Sequence, residues 1–477
     1  MAALGSVLCV CLLLGHLFDR ALLGDPGCGA LERGGRGLAL GLGLAGGLSM
    51  ACDTFGLGVT RVTVGAAVAL VLLLSLVACV QRTTPRAHGD GRGRLAGLSA
   101  RELALVLGLL LLAAVGVGVA VRSGWIRPTL QFDAIVRWMW KAKALAVHET
   151  LLGPLSSDPA FGFTHQRYPP LISHVANLVQ LVHGSYDDRL QSAIFPWFAV
   201  ATVAMAYGAV ARRSGALTGA LAAFWIAHLP LLSYAMAPPP GAGAASAMAD
   251  IPLSMFVLGA VLAVADALDG KRDRAHLELG LFLGFAALTK NEGLPFVALT
   301  VALVALLGGR GSVRRALGVG LVGAGLFALL WGWVAAGLPA TDENYPAQLG
   351  LATITVGFGR LGTILPRLGM SMLDIQAWNV TWLAVLTLLA GSVGLLRRPG
   401  LRLIVLLLAL QLGTYILAFM VTAWSSPAAE LIAETTGVGD VVGTLMNLTA
   451  DRLLMHLAPA AICAALIAAP VRLTRAG

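Results

Sequence analysis

The sequence predicts an all-α, polytopic membrane protein. Of its 477 residues, 58% are hydrophobic and only 12% are charged, whereas soluble domains carry roughly a quarter of charged residues. Mean hydropathy is +0.83. The apolar residues collect in runs close to the roughly 20 that a helix needs to cross a hydrocarbon core of about 30 Å. The polar stretches between the runs are short, which leaves no room for a separate soluble domain.

Taken in order, the runs fall at 4–23, 37–57, 60–80, 102–122, 190–210, 215–235, 250–268, 277–289, 294–308, 315–336, 379–396, 402–423 and 452–470. That makes about 12 or 13 spans, depending on whether the short pair 277–289 and 294–308 crosses fully. The first run, "SVLCVCLLLGHLF", lacks a basic leading region and a small-residue cleavage site, so it reads as a span and not as a signal peptide. The six Cys have no C-x-x-C or zinc-type spacing and read as small apolar packers.

Arginine groups at 81–94, 211–213, 269–276, 310–315 and 397–402 and in the C-terminal tail sit at the ends of runs. They all face the cytoplasm if the spans alternate and 277–308 enters and leaves on one side. The net charge of +9 then reports topology, not a nucleic-acid partner. This arrangement puts 123–189, 236–249, 337–378 and 424–451 outside. Arg127, Arg137, Lys141 and Lys143 stand in the first of these against the positive-inside bias, so something other than topology keeps them there.

Three of these cations belong to "QFDAIVRWMWKAKAL", residues 131–145. At helical spacing Asp133, Arg137 and Lys141 stand at i, i+4 and i+8, on one face. With two Trp beside them the segment reads as an amphipathic interface helix. Fixed cations at headgroup level suit a lipid phosphate, and a carboxylate among them suits proton abstraction from an incoming hydroxyl. The plainer alternative is a helix cap at Asp133 with cations on anionic lipid headgroups.

Other polar groups interrupt the runs. Asp250, in "MADIPLS", stands where an outer loop meets a helix, as a cap that is also placed to face a cavity. Lys290 and Glu292, in "LTKNEGL", read as a paired polar turn between two short helices. Arg452, beside Asp451 and one turn from His456, begins the last span as a snorkelling or phosphate-binding guanidinium. Asp342 and Glu343 in the 337–378 loop are the next carboxylates in line. His148, His165, His174 and His183 lack the spacing of a metal site, and no cofactor is expected, a divalent metal being left open without support.

The ordered set "FDAIVRWMWKAKAL", "RYPPLISHVANLVQLVHGSYDDRLQSAIF", "ADIPLSMFVLGAVLAV", "GLFLGFAALTKNEGLPF" and "DRLLMHLAP" resembles the motifs of the GT-C class of membrane glycosyltransferases. It is most similar to the branch of the protein O-mannosyltransferases and the lipid A aminoarabinose transferase. The resemblance covers roughly 102–470. It implies a GT-C-like bundle, residues 102–477, whose first outer loop (123–189) carries the chemistry. Residues 1–101 add N-terminal spans and a cytoplasmic loop to which it gives no role.

The resemblance further implies a polyprenyl-phosphate-linked sugar as donor, a lipid, glycan or protein as acceptor, and inverting transfer on the outer face. Asp133 falls at the family's essential acid. Pro169, Pro170 and Leu171 match its "PPL" motif, Leu288, Thr289 and Lys290 its "LTK", Asp250 its helix-start aspartate and Arg452 its late membrane arginine. Arg167 and Tyr168 replace a Glu-Lys pair found in some relatives, which puts a second acidic role there in doubt. With Arg137, Lys141, Lys143, Asp250 and Arg452 they complete the expected substrate contacts. The competing class is a transporter or flippase of lipid-linked sugars, which calls for paired internal repeats and broken helices at mid-membrane. One broken segment, 277–308, is visible and no second copy of it.

Overall fold

The computed structural model describes residues 1–23, 29–81, 98–126, 129, 131–153, 158–233, 244–268, 274–309, 311–339, 348–392, 394, 398–422, 434 and 441–469. Among the described residues there is no strand, and nine helices are long and apolar enough to cross a membrane. The chain is an all-α polytopic membrane protein.

The N-terminal helices are α1 (Ala2–Phe18, continued by a π-helical turn, Asp19–Leu23), α2 (Ala30–Thr54) and α3 (Arg61–Gln81). Then follow α4 (Ala100–Ile126), α5 (Trp140–His148), α6 (Leu171–His183), α7 (Pro196–Ser214) and α8 (Ala216–Ala227). The second half holds α9 (Asp250–Leu268), α10 (Ala275–Thr289), α11 (Gly293–Leu307), α12 (Ser312–Phe327), α13 (Leu351–Leu373), α14 (Thr381–Gly391), α15 (Pro399–Val421) and α16 (Val441–Ala468).

α9 is the axis of the bundle. Its residues are apolar on every side and nearly all buried, the pattern of a helix with no solvent or lipid face. α7, α10, α15 and α16 pack around it. By contrast, α3 and α4 leave many leucines exposed, as helices do whose outer face meets lipid.

α2 is as deeply packed as the central helices. It lies along α1 and α7, and the approach to α1 depends on missing side chains. A Cβ on Gly15 would stand 1.8 Å from Gly37 O, and one on Gly41 would stand 1.7 Å from Cys11 O. Small residues permit such close contact where lipid supplies no hydrophobic drive between helices.

Two buried charge clusters mark the ends of α9. Its first residue is Asp250, and Asp266 lies 16 residues on, about 24 Å at the α-helical rise. At the Asp266 end, Arg213 and Arg212 pair with Asp266 at 2.5 and 3.0 Å, and Arg212 also pairs with Glu32 at 2.8 Å. Arg36 pairs there with Asp19 at 2.9 Å and Glu278 at 2.8 Å. These bonds tie α1 and α2 to α7, α9 and α10, and each buried charge has a partner of opposite sign. Arg212 and Arg213, which as sequence report only sidedness, are thus also structural.

Four elements depart from the expected spans. α13 crosses a stretch expected to be outer loop. Its polar side chains recur often enough to mask a 23-residue helix, and they turn inward: Arg360 donates to Met420 O and Thr422 O, and Arg367 donates to Asn447 Oδ1. α6, in the first expected outer segment, is buried through most of its length. The expected spans 215–235 and 379–396 contain the shorter helices α8 and α14.

Candidate active site

The second cluster, at the Asp250 end, contains the residues singled out from the sequence. Asp250 starts α9 with its side chain fully enclosed. Its Oδ1 accepts from Lys290 Nζ at 3.0 Å and lies 2.9 Å from His456 Nε2, while its Oδ2 accepts from Arg452 Nε at 3.3 Å. Two elements therefore converge on one carboxylate: the turn between α10 and α11 supplies Lys290, and α16 supplies Arg452 and His456 at i and i+4, on one face.

The cluster extends in three directions. Arg452 Nη1 donates to Asp133 Oδ2 at 2.6 Å, and Asp133 Oδ1 lies 3.6 Å from Arg137 Nε. Lys290 pairs with Glu292 Oε1 at 2.8 Å. Behind His456, its Nδ1 lies 3.1 Å from the Tyr415 hydroxyl of α15, and Gln411, one turn before Tyr415, donates to Glu292 O at 3.2 Å.

Exposure separates the members. The Asp133 and Arg452 side chains are 19% and 17% exposed, whereas Asp250 is at 0%. A molecule arriving from outside meets Asp133 and Arg452 first, and Asp250 only through Arg452. Burial pushes the Asp133 carboxyl upward, but Arg137 and Arg452 outweigh it and hold it below its ordinary value. At neutral pH Asp133 is an ionised acceptor held between two guanidinium groups.

The expected shared face of Asp133, Arg137 and Lys141 forms only in part. Residues 134–139 are π-helical, and the wider turn moves positions beyond the first pair off the α-helical register. Asp133 and Arg137 still meet. Lys141 is rotated inward, 4% exposed, and donates to His165 O at 3.0 Å and Tyr168 O at 2.9 Å. Burial, with Arg137 nearby, lowers its ammonium to about 7. Lys141 thus holds the 165–168 loop instead of presenting a charge to a phosphate. Lys143, expected as a substrate contact, lies exposed 5.3 Å from the Tyr186 ring centre.

The pair in place of the Glu-Lys motif has positioning contacts. Tyr168 is buried, with its ring 5.4 Å from the Arg137 guanidinium and edge-on to Trp138. It sets where Arg137 stands. Arg167 Nε donates to Leu338 O at 2.8 Å, and Trp331 Nε1 donates to Arg167 O at 3.1 Å, which ties the loop to the segment that follows α12. Arg127, Asp342 and Glu343 lie outside the described residues.

Lys290 and Glu292 do pair, as expected of a polar turn. The turn stands at the Asp250 end, however, and Lys290 also reaches Asp250, so this pair is part of the cluster. Tyr415 and Gln411 were missed. The available signal was two polar residues at i, i+4 inside an otherwise apolar run, "QLGTY", where a polar group needs a partner.

Beside this cluster His174 Nδ1 lies 3.0 Å from Ser49 Oγ, and Asp53 accepts from Thr150 Oγ1 at 2.6 Å and from Leu151 N. All of Ser49, Asp53 and His174 are buried. They pin α2 to α6 and to the loop after α5.

Comparison of the chain with known protein families, with curated proteins and with solved structures gives no match.

Proposed function

We propose that this chain is a membrane glycosyltransferase that moves a sugar from a polyprenyl-phosphate donor to an acceptor hydroxyl or amine with inversion, on the outer face of the membrane. The observation that carries this reading is the linked set Asp133, Arg452, Asp250, with an ionised, partly exposed carboxylate between two arginines at one end of the bundle. The resemblance of the ordered motifs to GT-C enzymes supplies the reaction class.

In this reading the acceptor oxygen or nitrogen attacks the anomeric carbon from the face opposite the phosphate. The bond from that carbon to the phosphate oxygen breaks, and its electron pair leaves with the polyprenyl phosphate. Asp133 takes the acceptor proton, and Arg452 and Arg137 receive the negative charge that develops on the departing phosphate. A phosphate is already a competent leaving group, so orientation and fixed charge supply most of the barrier reduction.

The tight Arg452 contact has a role in that sequence. While Arg452 is bound to Asp133 the carboxylate is a poor base. A donor phosphate that draws Arg452 toward itself weakens that contact and raises the basicity of Asp133 only when the donor is seated.

The test uses the purified full chain in lipid nanodiscs with radiolabelled polyprenyl-phosphate hexose or pentose and a mixed acceptor extract. Release of polyprenyl phosphate coupled to acceptor labelling supports the reading. Movement of intact donor between leaflets of proteoliposomes without cleavage would overturn it in favour of a flippase.

A further inference from the structure

Helix α7 has two dissimilar sides. Toward α9, Phe198 meets Phe256 with ring centres 6.3 Å apart, and Arg212 and Arg213 pair with Asp266. About half a turn around the same helix, Trp197, Val200 and Ala204 line a cleft of about 730 Å³. The opposite wall is α4, which contributes Ala114, Gly118 and Arg122 at i, i+4 and i+8. Leu4 of α1 and Leu31 of α2 also line it. The volume falls within the roughly 300–1,000 Å³ of small-molecule sites.

The lining side chains are apolar apart from the Tyr207 hydroxyl and one charge. Arg122 is exposed, and among the described residues it has neither a hydrogen bond nor an ion pair. It stands near the C-terminal end of the α4 span, one turn from Trp125, which also lines the cleft. A Trp and a long cationic side chain at a span end mark the headgroup level. A guanidinium there matches a phosphate with two parallel hydrogen bonds.

We propose that this cleft holds one anionic glycerophospholipid of the surrounding bilayer, with its phosphate on Arg122 and an acyl chain running past Gly118 and Ala114 toward Leu31. The occupant is a bilayer lipid and not the sugar donor, because α7 stands between the cleft and α9. A headgroup on Arg122 is on the wrong side of α7 to reach Asp250. The lipid fills the gap between the N-terminal helices and α4, and so gives those helices a packing partner beyond α7.

The test is native mass spectrometry of the full chain, delipidated and then supplied with phosphatidylglycerol or phosphatidylcholine. The expected result is one retained phosphatidylglycerol, preferred over phosphatidylcholine by about fivefold, the contribution of one basic side chain to an anionic lipid. Arg122→Gln should equalise the two lipids. A Cβ on Gly118 meets open space, so Gly118→Phe fills the cleft without displacing backbone and should abolish retention while the protein elutes as folded. Ala114→Phe, exposed one turn away, repeats the block should Gly118→Phe not fold. Equal retention of both lipids by the original chain, or undiminished retention in the filled variant, would overturn the proposal. So would displacement of the phospholipid from the cleft by polyprenyl phosphate, which would assign the cleft to the donor. None of these readouts depends on sugar transfer.

Discussion

Arg452 donates to Asp133 over 2.6 Å although the two residues stand 319 positions apart, and the same guanidinium reaches Asp250 at 3.3 Å. One cation thereby couples a partly exposed carboxylate to one that is sealed. Removing a single member leaves an uncompensated charge in a low-dielectric setting. The members should therefore differ in what their loss does: outer ones should affect chemistry, and inner ones both chemistry and folding.

The first prediction concerns Asp133. Asp133→Asn keeps the size of the side chain and an oxygen for Arg452, so the protein should fold and elute unchanged. Acceptor labelling should fall by about 100-fold or more, the usual contribution of a general base. If labelling continues near the original rate, Asp133 is an anchor for the two arginines, and the base must be sought at Asp250, Asp342 or Glu343.

A second prediction follows from the charge around that carboxyl. Arg137 and Arg452 together overcome the effect of burial and keep Asp133 ionised below the ordinary aspartate value, which is about 3.9. Its fraction in the basic form is then complete at neutral pH and persists as pH falls through 5. The acid limb of kcat/KM that belongs to Asp133 should lie below the ordinary range, and Arg137→Gln should move it upward. A limb that stays in place in that variant would separate Arg137 from the base.

The third prediction contrasts the two ends of α9. Asp266→Asn leaves Arg212 and Arg213 with an uncompensated positive charge at the end away from Asp133, and should cost on the order of 3 kcal/mol of stability. Transfer per folded molecule should be unchanged. Asp250→Asn disturbs Lys290, Arg452 and His456 together, so both stability and transfer should drop. Melting curves and labelling on matched folded fractions distinguish the two, and equal activity loss in both variants would show that Asp250 acts only through stability.

Composition and run length were enough to read the class of fold, because the constraint from a lipid core is strong and local. Asp133, Asp250 and Arg452 were legible for a related reason: a charge at the end of an apolar run stands out. Their mutual contact was not legible, since it joins α9, α16 and the stretch before α5 through packing. The inward turn of Lys141 was hidden by a π-helical insertion that 3.6-residue periodicity does not anticipate. α13 was missed because its arginines serve neighbouring carbonyls, which lowers the apolarity of a helix without breaking it.

The fourth prediction uses Lys141 as a reporter of the loop it holds. Its ammonium is lowered to about 7 in the folded chain, against about 10.4 when unfolded. Between those values the unfolded state binds more protons, so stability must rise with pH across that window. Below about pH 7 both states are protonated, and the burial cost of the charge is present in full. The melting temperature of the original chain should therefore climb from pH 7 toward 10. Lys141→Met removes the titrating group along with its two hydrogen bonds to His165 O and Tyr168 O. The variant should be less stable at high pH, where the neutral amine still donates to those carbonyls, and the difference should shrink as pH falls to 7. A pH-independent difference would mean that Lys141 stays charged at its site, and that the 165–168 loop is held by an ammonium throughout.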